Sequence, residues 1–271
     1  MKKLIHNYKF LLGVKDPEMD MIEDILIKEK MSYEYATHHG KQINLENAYT
    51  TDPINLKNYE TLVLIECEPI CIKKNNTNKI IVIDHHRNGD PGHNLSSKEY
   101  WKASSIGQLH KLLNIKPTKK ALNIAAFDHC FRHAVNGECP DINPKDILNI
   151  KIKEISKTTG MTEKDINEKL TKYKKIIYNK KSIKYNFVSI TDIDTGVGYS
   201  SVYLIFQLLS ILEKINILFK HRDDINGRYK IIYNSFDKEK IKQFIEKHKL
   251  DPRFEDVYGA PERGYAGAYY R

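Results

Sequence analysis

Apolar residues in the first part of the chain gather in short runs, and each run stops at a polar turn. Three of these runs are Phe10 to Val14, Thr61 to Ile65 and Lys79 to Ile83. Runs of leucine, isoleucine and valine with such boundaries are typical of strands buried on both faces of a parallel sheet. The segment from Ser32 to Thr37 alternates enough to predict one more strand. Pro17 after Asp16 predicts that a helix begins directly after the first strand.

Helical spacing dominates the next part of the chain. Apolar residues at 106, 109, 112 and 113 predict an amphipathic helix, with Ser104 and Ser105 at its N-terminal end. These serines are expected to cap the helix, although a helix N-terminus also binds phosphate. A second helix is predicted from Thr118 to Val135, and its core-facing stripe includes Asp128. Because a buried carboxylate is costly, Asp128 requires a polar partner or a metal ion.

The remaining sequence predicts a domain organisation in three parts. Residues 1–145 form the main α/β domain, 146–181 a helical connector with a break at Thr159-Gly160, and 182–271 a smaller α+β domain. Asn226-Gly227, between two strand-like runs, predicts a hairpin turn. The glycines and aromatic residues from Gly259 to Gly267 predict either a loop that grips phosphate or a base, or a flexible tail.

Composition limits the class of protein and its partners. The chain has 271 residues, 41% of them hydrophobic, and a net charge of +9, which favours phosphate-bearing partners but also reflects abundant lysine on solvated helices. No apolar run approaches the roughly 20 residues that span a membrane. Met1-Lys2-Lys3 resembles the start of a signal peptide, but His6 to Lys9 interrupt the apolar segment that must follow. We therefore expect a cytoplasmic protein without membrane contact.

Residues of metal-ligand type occur at several places with unequal support. His129 and His133 lie one helical turn apart, which permits metal binding, but two exposed histidines are the simpler interpretation. Cys67 and Cys71 are followed by no cluster at zinc-finger spacing, so we expect reduced, partly buried thiols.

The strongest chemical signal is that three strand-like runs each end beside carboxylates. The first is followed by Asp16, Glu18 and Asp20, the second by Glu66 and Glu68, and the third by Asp84, His85, His86 and Arg87. The carboxyl ends of parallel strands lie side by side and form the ligand crevice of open α/β sheets. Carboxylates crowded there need a cation, and oxygen ligands with one or two imidazoles suit Mn²⁺ or Mg²⁺. The alternative is a surface turn that happens to contain two histidines.

The order of these motifs resembles the DHH phosphoesterase superfamily. Asp84-His85-His86 matches the motif that names the family. Asp16-Pro17-Glu18-Met19-Asp20 is similar to its first motif, Glu66 to its second and Asp128 to its fourth. The resemblance implies a parallel-sheet N-terminal domain, a smaller α+β C-terminal domain and a metal-dependent phosphoesterase.

The family pattern, carried onto this chain, implies a role for each matching residue. One or two Mn²⁺ or Mg²⁺ ions would be held by a set of six candidates. These are Asp16, Glu18, Asp20, Glu66, His85 and Asp128. Asp84 would orient His85, and His86 and Arg87 would contact the scissile phosphate of a nucleotide or single-stranded oligonucleotide, which a metal-activated water would attack. Ser104, Ser105, Arg263 and Gly264 would bind substrate, and a homodimer is left open.

Two other interpretations stay open at this stage. Val14, Glu18 and Glu66 depart from the family pattern, which favours a degenerate relative that binds nucleic acid or nucleotide without turnover. In the other, an unrelated two-domain α/β binding protein carries the motif by chance.

Overall fold

The chain folds into two compact units, residues 1–150 and 151–271. The structure, a computed structural model, describes residues 7–44, 47–55, 59–70, 79–180, 187–190, 199–222, 228–261 and 264–271. None of the described helices is both long and apolar enough to cross a bilayer. The predicted class, a parallel-sheet α/β unit followed by a smaller α+β unit, is confirmed.

The first unit is built on a parallel sheet of four strands with the order β2-β1-β5-β6. The strands of this unit are, in chain order, β1 (Tyr8–Leu12), β2 (Ser32–Tyr35), β3 (Thr37–His38), β4 (Lys41–Gln42), β5 (Thr61–Ile65) and β6 (Lys79–Ile83). Strands β3 and β4 form a separate short hairpin. Every residue of β5, a central strand, is buried. The prediction of burial on both faces is wrong for β6, where Val82 is 37% exposed, because this strand lies at an end of the sheet.

Helices α1, α3 and α4 of the first unit pack against one another. The helices are α1 (Pro17–Lys28), α2 (Tyr100–Ala103), α3 (Ser105–Leu113), α4 (Lys119–Val135) and α5 (Pro144–Thr159), the last of which crosses the boundary between the units. Gly107 allows a very close approach, because a Cβ at this position would lie 1.6 Å from the carbonyl oxygen of Trp101. The short α2 and the start of α3 are thus in backbone contact.

The second unit contains a mixed sheet of five strands with the order β10-β11-β9-β8-β7. Its elements are α6 (Glu163–Lys180), β7 (Phe187–Ile190), α7 (Tyr199–Leu212), β8 (Asn216–Arg222), β9 (Tyr229–Asn234), α8 (Lys238–Lys249), β10 (Phe254–Ala260) and β11 (Tyr265–Tyr270). Among these described strands, β7 and β8 pair in parallel and the other neighbours pair antiparallel. The predicted break at Thr159-Gly160 separates α5 from α6, and the Asn226-Gly227 turn lies outside the described residues.

Most of the glycine-rich C-terminal segment pairs as strands β10 and β11, so the prediction of a flexible tail is wrong, and residues 262 and 263 of the predicted gripping loop lie outside the described residues. Tyr258 pairs with Gly267 across β10 and β11, and a Cβ on Gly267 would come within 2.4 Å of the Tyr258 ring. The glycine therefore makes room for the aromatic ring of the neighbouring strand, a known way of stabilising glycine in sheets.

Candidate metal centre

Parallel pairing brings the ends of β1, β5 and β6 to one edge of the sheet. Leu12 pairs with Ile65, and Ile65 pairs with Ile83, so the three chain segments that follow these residues start side by side. This confirms, for the described strands, the geometric basis on which the sequence predicted a shared crevice.

The first segment contributes Asp16 and Glu18 through the start of α1. Asp16 is the N-cap, and its Oδ1 accepts a hydrogen bond of 2.7 Å from the backbone N–H of Met19. Glu18 lies in the first turn and is only 1% exposed. Its Oε1 accepts a hydrogen bond of 2.9 Å from the N–H of Ile106, in the first turn of α3. The positive end of α3 therefore faces one oxygen of this carboxylate and leaves the other for the crevice.

Asp20 and the two serines do not join this group. Asp20 lies 3.6 Å from Lys15 Nζ, in a partly exposed ion pair. Ser104 is the N-cap of α3, with its Oγ accepting from Gly107 N–H at 3.2 Å. Ser104 therefore caps the helix, as predicted. Ser104 and Ser105 are both fully buried.

Glu66 follows β5 directly and has an unusual backbone. Its φ is 52°, in the left-handed region that residues other than glycine rarely adopt. The side chain is nearly buried, and its Oε1 lies 3.5 Å from His85 Nε2. The unusual backbone of Glu66 thus occurs where its carboxylate lies beside a histidine rather than in solvent.

Asp84 organises the turn that carries the two histidines. Its Oδ1 accepts hydrogen bonds from the backbone N–H of His85 at 2.6 Å and of His86 at 3.0 Å, and from His86 Nδ1 at 3.0 Å. Its Oδ2 accepts one from the Tyr49 hydroxyl at 3.1 Å. Asp84 therefore holds the backbone of His85 and the ring of His86, whereas the sequence predicted that it orients His85 as a whole.

Arg87 lies beside the turn and is bound by two carboxylates. Its Nη1 donates to Glu68 Oε2 at 2.7 Å, and its Nη2 lies 3.6 Å from Asp90 Oδ1. The guanidinium also stacks on the ring of Tyr49, 3.8 Å from the ring centroid. The side chain is 39% exposed, so a phosphate could approach it while competing with Glu68.

Four ligand atoms meet at the centre of this arrangement. They belong to Glu18, Glu66, His85 and Asp128, and all lie within 4.8 Å of one another. In each residue a buried atom has no hydrogen-bond partner: Glu18 Oε2, Glu66 Oε1, His85 Nε2 and Asp128 Oδ2. Although His85 Nε2 lies 2.9 Å from Asp128 Oδ2, the pair lacks the direction of a hydrogen bond. Buried polar atoms are normally satisfied, so four unsatisfied ligand atoms aimed at one point fit a cation.

The pKa values of the buried groups also indicate a cation at this centre. Burial, reinforced by the charges of Asp128 and Glu66, raises the pKa of Asp16 to about 8 and that of Glu18 well above its ordinary value. Burial lowers the pKa of His85, but Asp128 and Glu66 outweigh it and raise this pKa to about 10. The centre therefore carries more negative charge than its buried groups tolerate, and a divalent cation would relieve the excess.

His129 lies beside His85, a contact that the sequence did not predict. It is half-buried, its Nδ1 lies 3.0 Å from His85 Nδ1, and its Nε2 lies 3.0 Å from the carbonyl oxygen of Leu95. Burial and the charge of His85 lower its pKa. The prediction that both helical histidines are exposed is wrong for His129, whereas His133 is exposed and bonded to Glu138. The backbone of α4 is non-helical at Cys130, which a helical pattern could not indicate.

The remaining predicted residues lie in the second unit. Gly264 has a φ of 76° in the turn between β10 and β11, and its carbonyl accepts a hydrogen bond of 2.9 Å from Ser235 N–H. Its place in this turn gives it a structural role. Arg263 lies outside the described residues.

Comparisons with known proteins found similarity to solved structures alone. No protein-family model matches the chain, and no curated protein matches its sequence. The structure of RecJ from Thermus thermophilus, in complex with Mg²⁺, is 8% identical with a TM-score of 0.43, over 97% of this chain and 47% of the RecJ chain. The chain thus spans about half the length of that protein.

The pGpG-specific phosphodiesterase PggH from Vibrio cholerae is 9% identical with a TM-score of 0.47, over 97% of this chain and 93% of PggH. The chemistry of the centre is therefore argued from its own residues.

Proposed function

We propose that the protein is a metal-dependent phosphoesterase whose cation is held by Glu18, Glu66, His85 and Asp128. The observation that carries the proposal is the meeting of four buried ligand atoms, none with a hydrogen-bond partner. A structural core would pair or exclude such groups, because each unsatisfied buried polar atom costs about 1–3 kcal/mol. The substrate proposed is a phosphodiester or phosphomonoester of the nucleotide or oligonucleotide type.

The donor set selects the kind of cation. Three carboxylates and one imidazole are ligands for Mn²⁺ or Mg²⁺ rather than for a metal that prefers thiolates. Glu66, His85 and His86 form a second group of close ligand atoms, and a second ion there would share the carboxylate of Glu66 with the first, because the single lone pair of His85 Nε2 serves one ion. Asp16, which interacts with the negative charges of Asp128 and Glu66, is a further carboxylate for such an ion.

The chain's own residues supply the rest of the chemistry. A bound divalent cation supplies a Lewis acid for a phosphoryl oxygen and lowers the pKa of water. Burial lowers the pKa of His86, but the bond of its Nδ1 to Asp84 outweighs burial and raises this pKa, so the protonated ring, 30% exposed, would donate from Nε2 to a phosphate oxygen. Arg87 would give a bidentate contact to the same phosphate if its bond to Glu68 opens.

The proposal is tested by measuring metal content and phosphate-ester hydrolysis in the same preparations. We expect about one or two Mn²⁺ per chain, with hydrolysis of dinucleotides, short single-stranded oligonucleotides or a chromogenic phosphodiester. His85→Ala and Asp128→Ala should lose both. Asp20→Asn is the matched control, because this acid also lies in the first turn of α1 but pairs with Lys15. Metal stoichiometry that is unchanged in both alanine variants would contradict the proposed centre.

A second function, binding of nucleic acid without turnover, is favoured by one observation. The guanidinium of Arg87 is engaged by Glu68, with Asp90 close by, so it would not stabilise a reacting phosphate at the centre unless its bond to Glu68 opened, whereas the net charge of +9 would still attract nucleic acid. This alternative predicts salt-sensitive oligonucleotide binding that needs no cation. Metal-loaded protein that hydrolyses no member of the substrate panel, yet binds oligonucleotides in EDTA, would favour it over the phosphoesterase.

A further inference from the structure

A line of hydrogen-bonding groups reaches the centre from the loop before α2. The carbonyl oxygen of Leu95 lies 3.0 Å from His129 Nε2, and His129 Nδ1 lies 3.0 Å from His85 Nδ1. The other nitrogen of His85, Nε2, faces Asp128 Oδ2 at 2.9 Å and Glu66 Oε1 at 3.5 Å. The rings of His129 and His85, in series, therefore connect a backbone carbonyl to the proposed cation position.

The carbonyl oxygen of Leu95 determines which nitrogen carries the hydrogen in each hydrogen bond of this series. A carbonyl oxygen can only accept, so His129 Nε2 must carry the hydrogen of the bond to Leu95. A neutral imidazole has one N–H, and Nδ1 of His129 is therefore an acceptor. The hydrogen between the rings then belongs to His85 Nδ1, so the neutral ring, formed when a cation displaces the other proton, has its lone pair on Nε2. That lone pair lies among the carboxylate oxygens of the centre.

Packing holds the rings of His85 and His129 in this arrangement. Their centroids are 5.3 Å apart, and the ring planes are inclined by 38°. Asp128 and His129 are consecutive residues, yet they approach the two different nitrogens of one ring. The non-helical backbone at Cys130, with φ −144° and ψ 43°, follows them immediately. On the other side, a Cβ at Gly92 would lie only 2.7 Å from His85 Cβ, which shows how closely the loop encloses this side chain.

We propose that His129 is a positioning residue that keeps His85 protonated at Nδ1, so that its Nε2 lone pair is presented to the divalent cation. The inference rests on the proposed metal centre and adds a residue to it. Histidine ligands commonly donate their second N–H to a fixed acceptor, and loss of that acceptor typically costs about 10–100-fold in metal affinity or activity. Here the acceptor is a second histidine whose own orientation is set by a backbone carbonyl.

The first experiment measures Mn²⁺ affinity of the full chain by isothermal titration. His129→Phe keeps a planar ring but removes the acceptor, and we expect affinity to fall about 10–100-fold. His129→Gln has both an acceptor and a donor and should restore affinity to within a few-fold of the wild type. His133→Phe is the matched control on the same helix, since His133 is exposed and bonded to Glu138. Thermal unfolding in EDTA shows whether each variant is folded.

The outcomes separate the inference from the function on which it rests. Wild-type affinity in His129→Phe, or an affinity in His129→Gln as low as in His129→Phe, would overturn the positioning role while the metal centre stands. Failure of the wild type itself to bind Mn²⁺ would remove the metal centre, and the inference with it. The second experiment needs no variant: ¹⁵N NMR of the Mg²⁺-loaded wild type should show His85 protonated at Nδ1. Protonation at Nε2 would refute the proposal.

Discussion

Asp16 offers a quantitative test of the charge repulsion at the centre, because one substitution can remove its charge and keep its helix cap. The side chain caps α1 through Met19 N–H, and it also adds a charge beside Asp128 and Glu66. Asparagine caps a helix about as well as aspartate but is neutral. In the metal-free protein, Asp16→Asn should therefore keep the cap and remove the repulsion.

The size of the effect follows from the pKa of Asp16, raised by burial and by its acidic neighbours from 3.8 to about 8. Because the folded protein binds this proton more tightly than the unfolded chain, ionisation destabilises the fold. The penalty is absent below pH 3.8, grows as the pH rises, and is complete above about 8. One pKa unit corresponds to about 1.4 kcal/mol, so the roughly three units up to pH 7 amount to about 4 kcal/mol. Asp16→Asn should thus raise the free energy of unfolding by up to about 4 kcal/mol at pH 7 and by little at pH 4.

Urea denaturation in EDTA, followed by tryptophan fluorescence at several pH values, measures this directly. Trp101 is the only tryptophan of the chain and lies in the first unit, so its signal reports the unit that contains Asp16. Asp16→Ala is the control: it removes the same charge but also the cap, and should be about 1 kcal/mol less stable than Asp16→Asn. The reasoning is refuted if Asp16→Asn is no more stable than the wild type at pH 7, or if its advantage does not grow with pH.

Three further expectations follow from the same structure. Since the carboxylates raise the pKa of His85 to about 10, and burial raises that of Glu18, cation binding at pH 7.5 should release at least about one proton, measured by titration calorimetry in buffers of different ionisation enthalpy; an enthalpy independent of buffer would contradict this. A cation at 100 times its dissociation constant should stabilise the first unit by about 2.7 kcal/mol over the EDTA-treated protein, seen as a higher melting temperature of the Trp101 signal. Gly107→Ala should destabilise this unit by about 3 kcal/mol or more, because the added Cβ would lie 1.6 Å from a backbone oxygen; thermal unfolding with no shift would show that α2 moves freely.

The sequence was most informative where one physical rule determines position. Parallel strands must end at one edge, so the segments after β1, β5 and β6 were expected together, and the structure pairs those strands in that register. Asp128 was identified because a carboxylate on an apolar helical stripe needs a partner, and its Oδ2 lies 2.9 Å from His85 Nε2.

The sequence was least informative where position depends on tertiary packing. His129 was expected to be exposed because regular helical geometry directs it away from Asp128, but the backbone of α4 is non-helical at the next residue. Gly267 was assigned to a loop because glycine is common there, whereas its neighbour across the sheet is the ring of Tyr258. A motif match also could not separate the acids of the first turn of α1, since Asp20 fits the family motif but pairs with Lys15.

The left-handed backbone of Glu66 has a consequence for how this protein would change under selection. At a φ of 52°, glycine or asparagine would relieve strain that costs other residues roughly 1–2 kcal/mol. A library selected for heat resistance alone would therefore drift to those residues at position 66, and to neutral residues at 16 and 18. A library selected for a cation-dependent activity would retain the acids. The residues at positions 16, 18 and 66 would thus show whether a lineage was selected for stability or for cation-dependent activity.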